Sequence, residues 1–207
     1  MMLYLKNFLS ILIPVRYRNF SICFLIFISF ASIIHAQTKK FDTTVKMGDD
    51  GYRVECSNKA ADENYVSVSL IGLRLNGSNP TFKVYGRVMK AFTDDFNNDG
   101  HPDLAIGVYN GTNNEMGTIA CLSYTADKSL VPIYFPDIYL DVKLREGYKG
   151  YDEFSALTGT LMRKFPIYLS GDEPGKPTGG VRTIQYNVVT EQGHLSFKAL
   201  RSFDVKQ

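Results

Sequence analysis

The chain has 207 residues, a formal charge of +2, 44% hydrophobic and 21% charged residues, three cysteines and no tryptophan. This composition excludes a disordered or collagen-like chain, and a charge so near zero excludes a strongly basic nucleic-acid binder. The length suits one domain with one sizeable core.

Residues 1–36 carry Lys6, Arg16 and Arg18 and no acidic residue. Two apolar stretches, 8–15 and 20–34, lie on either side of Arg16 and Arg18. The second reads as the apolar region of a signal peptide behind a basic start. Its 15 residues fall short of the roughly 20 that a membrane-spanning helix needs. Small residues Ala31, Ser32 and Ala36 close it. Residues 1–36 are therefore expected to be removed after Ala36, with export to the periplasm or beyond. Subtracting the leader's three basic residues from 23 leaves 20 against 21 acidic, a net of −1. Cys23 leaves with the leader. Cys56 and Cys121 remain, either bridged as a disulfide or buried as free thiols.

Residues 37–51 are polar and are expected to be loosely attached, with room for a short strand at 41–45. From there period-two alternation of β-branched and aromatic residues predicts about eight strands. They fall at 65–75, 82–88, 104–108, 118–124, 131–135, 161–169, 181–189 and 195–203. Asp50-Gly51, Asn76-Gly77, Asn98-Asp99-Gly100 and Asn110-Gly111 mark turns between them. Residues 152–159 suit a short helical turn, and 171–180 form a loop rich in Gly and Pro. The predicted architecture is all-β, an antiparallel β-sandwich or flattened barrel. The domain proper is placed at 52–207.

The sharpest local motif is D-x-N-x-D-G-x-x-D at residues 95–103. Asp95, Asn97 and Asp99 supply oxygens at loop positions one, three and five, and Gly100 permits the sharp turn between them. His101 offers its backbone carbonyl, and Asp103 stands at position nine. This set is a candidate calcium loop. An EF-hand is excluded, because position twelve is Ile106 where a bidentate Glu belongs. The alternative is a turn held by Asx hydrogen bonds to its own backbone.

Enzyme signatures are missing. His101 and His194 are the two histidines beyond the leader, and both sit in turns. The sequence has no H-E-x-x-H, C-x-x-C or G-x-S-x-G motif. Asp152 and Glu153 are adjacent, so on a strand they point to opposite faces and do not flank one glycosidic bond. A non-enzymatic protein is expected. Two long loops, 109–117 and 147–154, suggest recognition from a rigid β scaffold.

Four blocks, in order, carry a family resemblance. The first is Phe92 with Asp95-Phe96-Asn97-Asn98-Asp99-Gly100-His101-Pro102-Asp103-Leu104. The second is Gly147-Tyr148-Lys149-Gly150-Tyr151-Asp152-Glu153-Phe154. The third is Leu161-Met162-Arg163-Lys164-Phe165-Pro166-Ile167-Tyr168. The fourth is Gly171-Asp172, then Pro177-Thr178-Gly179-Gly180-Val181-Arg182, then Tyr186. From about Val54 onward the chain resembles the periplasmic inhibitors of invertebrate-type lysozyme.

The resemblance implies an exported β-sandwich-like protein that binds a lysozyme, of a type in which homodimers are known; no cofactor is expected beyond the candidate calcium ion. Such inhibitors block the peptidoglycan-cleaving cleft with a loop resembling Ser-Gly-x-x-Tyr. The matching loop here is Tyr109, Asn110, Gly111, Thr112, Asn113, Asn114, Glu115, Met116, Gly117 and Thr118. Strict spacing puts Asn114 at the tyrosine position. A slip of two puts the bulkier Met116 there, which is the preferred register, and Tyr109 is a substitute from the other side. Glu115 departs from the pattern, since a carboxylate is unfavourable in an acidic cleft. Tyr151, Asp152 and Arg182 are assigned to a secondary interface or to loop support, with an internal Asp152–Arg182 ion pair as the structural form of that role. Two further readings stay open. One is a calcium-stabilised cell-envelope or adhesion module without inhibitory activity. The other is the same scaffold turned to another glycan-active enzyme or to a glycan.

Overall fold

The computed structural model describes residues 39–206; the expected signal peptide lies outside them. The described chain is all-β, with twelve strands in two sheets. The first sheet is an antiparallel meander of β1 (Phe41–Met47), β2 (Asp50–Cys56), β3 (Asn64–Ile71) and β4 (Thr81–Val84). The second has eight strands. They are β5 (Arg87–Asp94), β6 (Asp103–Asn110), β7 (Met116–Tyr124), β8 (Leu130–Tyr134), β9 (Glu153–Leu157), β10 (Thr160–Pro166), β11 (Val181–Glu191) and β12 (His194–Val205). Their order is β5-β6-β7-β8-β12-β11-β10-β9. One neighbour pair is parallel, β8 with β12, through Ile133 and Tyr134 opposite Leu195 and Ser196. The sheet curls until its edges face each other, and Lys90 Nζ on β5 donates to the Phe154 carbonyl on β9 at 2.6 Å. The molecule thus combines both expected forms, a nearly closed barrel with a second sheet packed on its flank.

Two cores follow from this arrangement. Tyr52, Val54, Val66 and Val68 of the small sheet meet Leu104, Ile106 and Val108 of β6. Inside the barrel, Ala105 of β6 joins Phe135, Phe154, Leu161, Phe165, Ile184 and Phe197. β6 belongs to both, because alternate side chains leave its two faces. Its continuous burial from Asp103 to Val108 explains an apolar run interrupted by one glycine.

Several expectations change here. Within the segment expected to be loosely attached, Phe41–Met47 forms β1 and pairs along its length with β2. It reads as polar because its solvent face carries cross-strand charge: Arg53 donates to Asp42 from Nε at 3.0 Å and from its second amino nitrogen at 2.9 Å. The run 82–88 is two strands, not one. The chain crosses between sheets at Tyr85-Gly86, where Gly86 has φ +133° and an added Cβ would lie 2.5 Å from the Tyr109 carbonyl oxygen. Residues 152–159 hold β9 and the tight turn after it rather than a helical turn. The one helical element among the described residues is a 3-10 turn at Ile138–Leu140.

Cys56 and Cys121 are both free and buried, so the disulfide alternative is not realised. Cys56 lies in the core between the sheets and Cys121 inside the barrel. The wall of the barrel separates them. No helix of the described residues is long and apolar enough to cross a membrane.

Candidate functional site

The hairpin β6–β7 carries the loop that the sequence singled out. Gly111 starts it at φ +90°, and Asn114, at φ +55°, donates its N–H to the Gly111 carbonyl at 3.3 Å. Residues 111–113 are exposed and 114–116 half-buried. Glu115 folds its carboxylate back over the turn and accepts the Asn113 N–H at 2.8 Å. Its own backbone N–H and that of Asn113 hold its pKa below the usual value. The charge therefore faces the loop's own amides. A Cβ on Gly111 would stand 2.6 Å from that carboxylate, which ties the glycine to the glutamate.

The base of the loop is fixed by a buried polar cluster. Asp152 Oδ2 accepts the Gly117 N–H at 2.8 Å and the Tyr148 hydroxyl at 2.5 Å. Arg163 Nε donates to Asp152 Oδ1 at 2.7 Å, and a terminal nitrogen donates to the Gly117 carbonyl at 3.4 Å and to the Tyr148 oxygen at 3.0 Å. Both charged side chains are almost fully buried. Burial disfavours the Arg163 cation, but the adjoining Asp152 carboxylate outweighs it and raises the pKa. Burial drives the Tyr148 hydroxyl well above its ordinary value. Tyr151, at φ +64°, adds an N–H to the Glu115 carbonyl at 2.5 Å. Gly150 lies so close that a Cβ would meet that carbonyl at 2.6 Å and Met116 Sδ at 2.8 Å.

The expected site residues thus separate. Asn110, Gly111, Thr112, Asn113, Asn114 and Glu115 form the projecting turn. Met116, preferred for the tip, instead packs against the barrel core at the foot of the loop. Tyr109 also points away from the tip. Its ring meets Phe154 edge-on at 6.3 Å, and burial pushes its hydroxyl up to about 12. Gly117 and Thr118 begin β7. Tyr151 and Asp152 do support the loop. The Asp152–Arg182 pair does not form. Arg182 makes a bidentate pair with Asp204, 2.8 Å to each oxygen, and donates to the carbonyls of Lys143, Leu144 and Glu146. It secures the 141–146 turn to β12. The residue the sequence reading passed over is Arg163. Its signal was a charge amid Leu161, Met162 and Phe165 on a strand that is otherwise core.

The 95–103 loop lies at the opposite end of β6. Asp95 accepts the N–H groups of Asp99 at 3.0 Å and Gly100 at 2.9 Å, and Asp99 accepts that of His101 at 2.8 Å. Asp103, fully buried, accepts those of Phe96 at 2.8 Å and Asn97 at 3.3 Å through Oδ2. Asn97 reaches Asp99 and Ser123. Tyr52 donates to the Pro102 carbonyl, so the small sheet braces the loop. The His101 ring packs on Tyr124, leaving its backbone carbonyl as the donor it would offer a cation. The oxygen set suits a hard cation, and Asp103 Oδ1 is buried with no hydrogen-bond partner among the described residues. As arranged, however, the other carboxylate oxygens serve the loop backbone, and no three His, Cys, Asp or Glu side chains among the described residues form a metal-holding group.

Residues 91–119 are similar to the FG-GAP repeat. The match runs from β5 through the 95–103 loop and β6 to the projecting turn and the first residues of β7. No curated protein and no solved structure matches the chain.

Proposed function

We propose that the chain is an exported, non-catalytic inhibitor that binds a lysozyme and covers its peptidoglycan-cleaving cleft with the turn 111–115. The observation that carries this reading is the convergence beneath the turn. Asp152 and Tyr148 come from one block of the family resemblance and Arg163 from another, and together they grip Gly117. A turn held this way loses little further freedom on binding, which favours affinity. Its tip of Gly111, Thr112 and Asn113 is small, polar and uncharged, and Glu115 keeps its charge but turns it onto the turn's own backbone amides. This lessens the repulsion that an acidic loop would meet in an acidic cleft.

The test is inhibition of invertebrate, chicken and goose lysozymes by the purified protein. Inhibition of the invertebrate type is expected. Asn113→Glu, which places a free carboxylate at the tip, should weaken it about tenfold or more at unchanged Tm. Absence of inhibition of all three at micromolar protein would refute the reading.

A second reading is a calcium-stabilised envelope or adhesion module. The similarity of residues 91–119 to the FG-GAP repeat, a type that often binds calcium, favours it together with the unpartnered Asp103 Oδ1. In that reading Asp95, Asn97, Asp99, Asp103 and the His101 carbonyl would hold the ion, which would brace the loop.

A further inference from the structure

β8 pairs with β7 only from Cys121 to Tyr124. After Tyr134 the chain turns away, and the Met116–Ala120 half of β7 has β6 on one side and, among the described residues, no strand on the other. Asp152 and Arg163 fill the first step of that gap at Gly117. The remainder is a groove of about 370 Å³ opening beside the projecting turn.

Three tyrosines rim this groove: Tyr85 from the β4–β5 crossover, Tyr134 from the end of β8, and Tyr139 from the 3-10 turn. They are 68%, 58% and 48% exposed. Tyr139 touches Tyr148 edge-on at 5.7 Å and Lys83 Nζ lies 5.8 Å from the Tyr85 ring, but much of each ring stays open, and three around one opening form a binding surface of large, rigid, amphipathic groups. Asn110 and Thr118 line the same opening and bring an amide and a hydroxyl. Of its charged groups, Arg163 is paired with Asp152, whereas the exposed Asp137 accepts the Tyr139 N–H at 2.9 Å and keeps its negative charge. A cavity with aromatic walls, neutral polar groups and one exposed carboxylate at its edge favours an uncharged polyhydroxylated ligand over an anion. A sugar offers C–H faces to the rings and hydroxyls to the amide and hydroxyl. The volume also falls at the small-molecule end of the range of roughly 300–1,000 Å³ for ligand sites.

We propose that this groove is a binding site for an uncharged oligosaccharide, held between Tyr85, Tyr134 and Tyr139. The site needs no lysozyme, so it stands or falls separately from the inhibitor reading.

The chain has no tryptophan but 13 tyrosines, so binding is read by calorimetry, with the change in tyrosine emission that Tyr134→Ala or Tyr139→Ala abolishes as the local signal. Protein produced from the full chain is titrated with chitotriose, maltotriose and, as a charged control, trigalacturonate. Saturable binding of a neutral sugar is expected, with little or none of the anion. Tyr139→Ala and Tyr134→Ala should each weaken it about fivefold or more, the loss of one aromatic contact, at unchanged Tm. No saturable change up to about 10 mM of either neutral sugar, or equal binding by both variants, overturns the proposal. So does preference for the anion. If no sugar binds but the same variants weaken lysozyme inhibition, the groove belongs to a protein interface and the proposal also fails.

Discussion

Asp103 is the residue where stability and a cation would compete. Burial pushes its carboxyl up to about 6 from an ordinary 3.8. Between those values the folded protein holds the proton more often than the unfolded chain does. Its contribution to stability is therefore full below about 3.8 and is lost as pH rises through about 6. The difference amounts to roughly 2–3 kcal/mol. In chelator, wild type minus Asp103→Asn should become less stable across that window. At pH 7 the variant should be the more stable, because an amide oxygen still accepts from Phe96 and Asn97 without carrying a buried charge. Calcium should then raise the Tm of wild type and leave the variant unmoved if the second functional reading holds. Thermal melts across pH, with and without calcium, check both parts. A variant less stable at every pH contradicts the first, and no calcium shift at millimolar concentration removes the second.

At the scale of elements, the Asp152–Arg163 pair stands in for a missing strand. β7 exposes the Gly117 N–H and C=O on the side where β8 has already diverged, and the carboxylate and guanidinium meet them as a neighbouring backbone would. Arg163→Met fills similar volume but leaves Asp152 buried and unpaired. The expected cost is about 3–5 kcal/mol, read by denaturant unfolding, with faster hydrogen exchange in the turn above. A change under about 1 kcal/mol would mean that water or local rearrangement replaces the pair. This pairing also marks the limit of what sequence could reveal. Period-two runs found β3, β6, β7, β10 and β11, which bury one face or both, and also β8 and β12, which show through apolar and aromatic residues although each buries a single side chain, Ile133 and Phe197. β1 showed only as room for a short strand at 41–45, and β2 was obscured by the ion pairs on the outer face the two share, as β9 was by its short, half-exposed pattern. The turn 111–115 was legible from Asn110-Gly111. Its inward-facing Met116 was not, since a residue at a strand's first position can face either way until the register is fixed. Nor could spacing tell which acid Arg163 or Arg182 meets, because those partners are 11 and 22 residues away across folded strands.

For the molecule as a whole, two hydrophobic cores raise the question of whether it unfolds as one body or two. β6 decides it. Leu104, Ile106 and Val108 close the core between the sheets, while Ala105, on the opposite face, lines the barrel. Asn58 adds a second tie: its buried side chain, carried on the segment after β2, accepts the Val88 N–H at 2.9 Å and donates to the Val88 carbonyl at 2.8 Å on β5. Neither core can open without stripping one face of β6 and exposing its apolar residues. Unfolding should therefore be a single transition, with calorimetric and van't Hoff enthalpies equal. Val66→Ala in the core between the sheets and Ile184→Ala in the barrel should each lower that one transition. The expected costs are roughly 2 kcal/mol for the first and 2–5 kcal/mol for the second. Two resolved transitions, with each variant moving only its own, would show that β6 transmits no cooperativity and that the small sheet is an independent appendage.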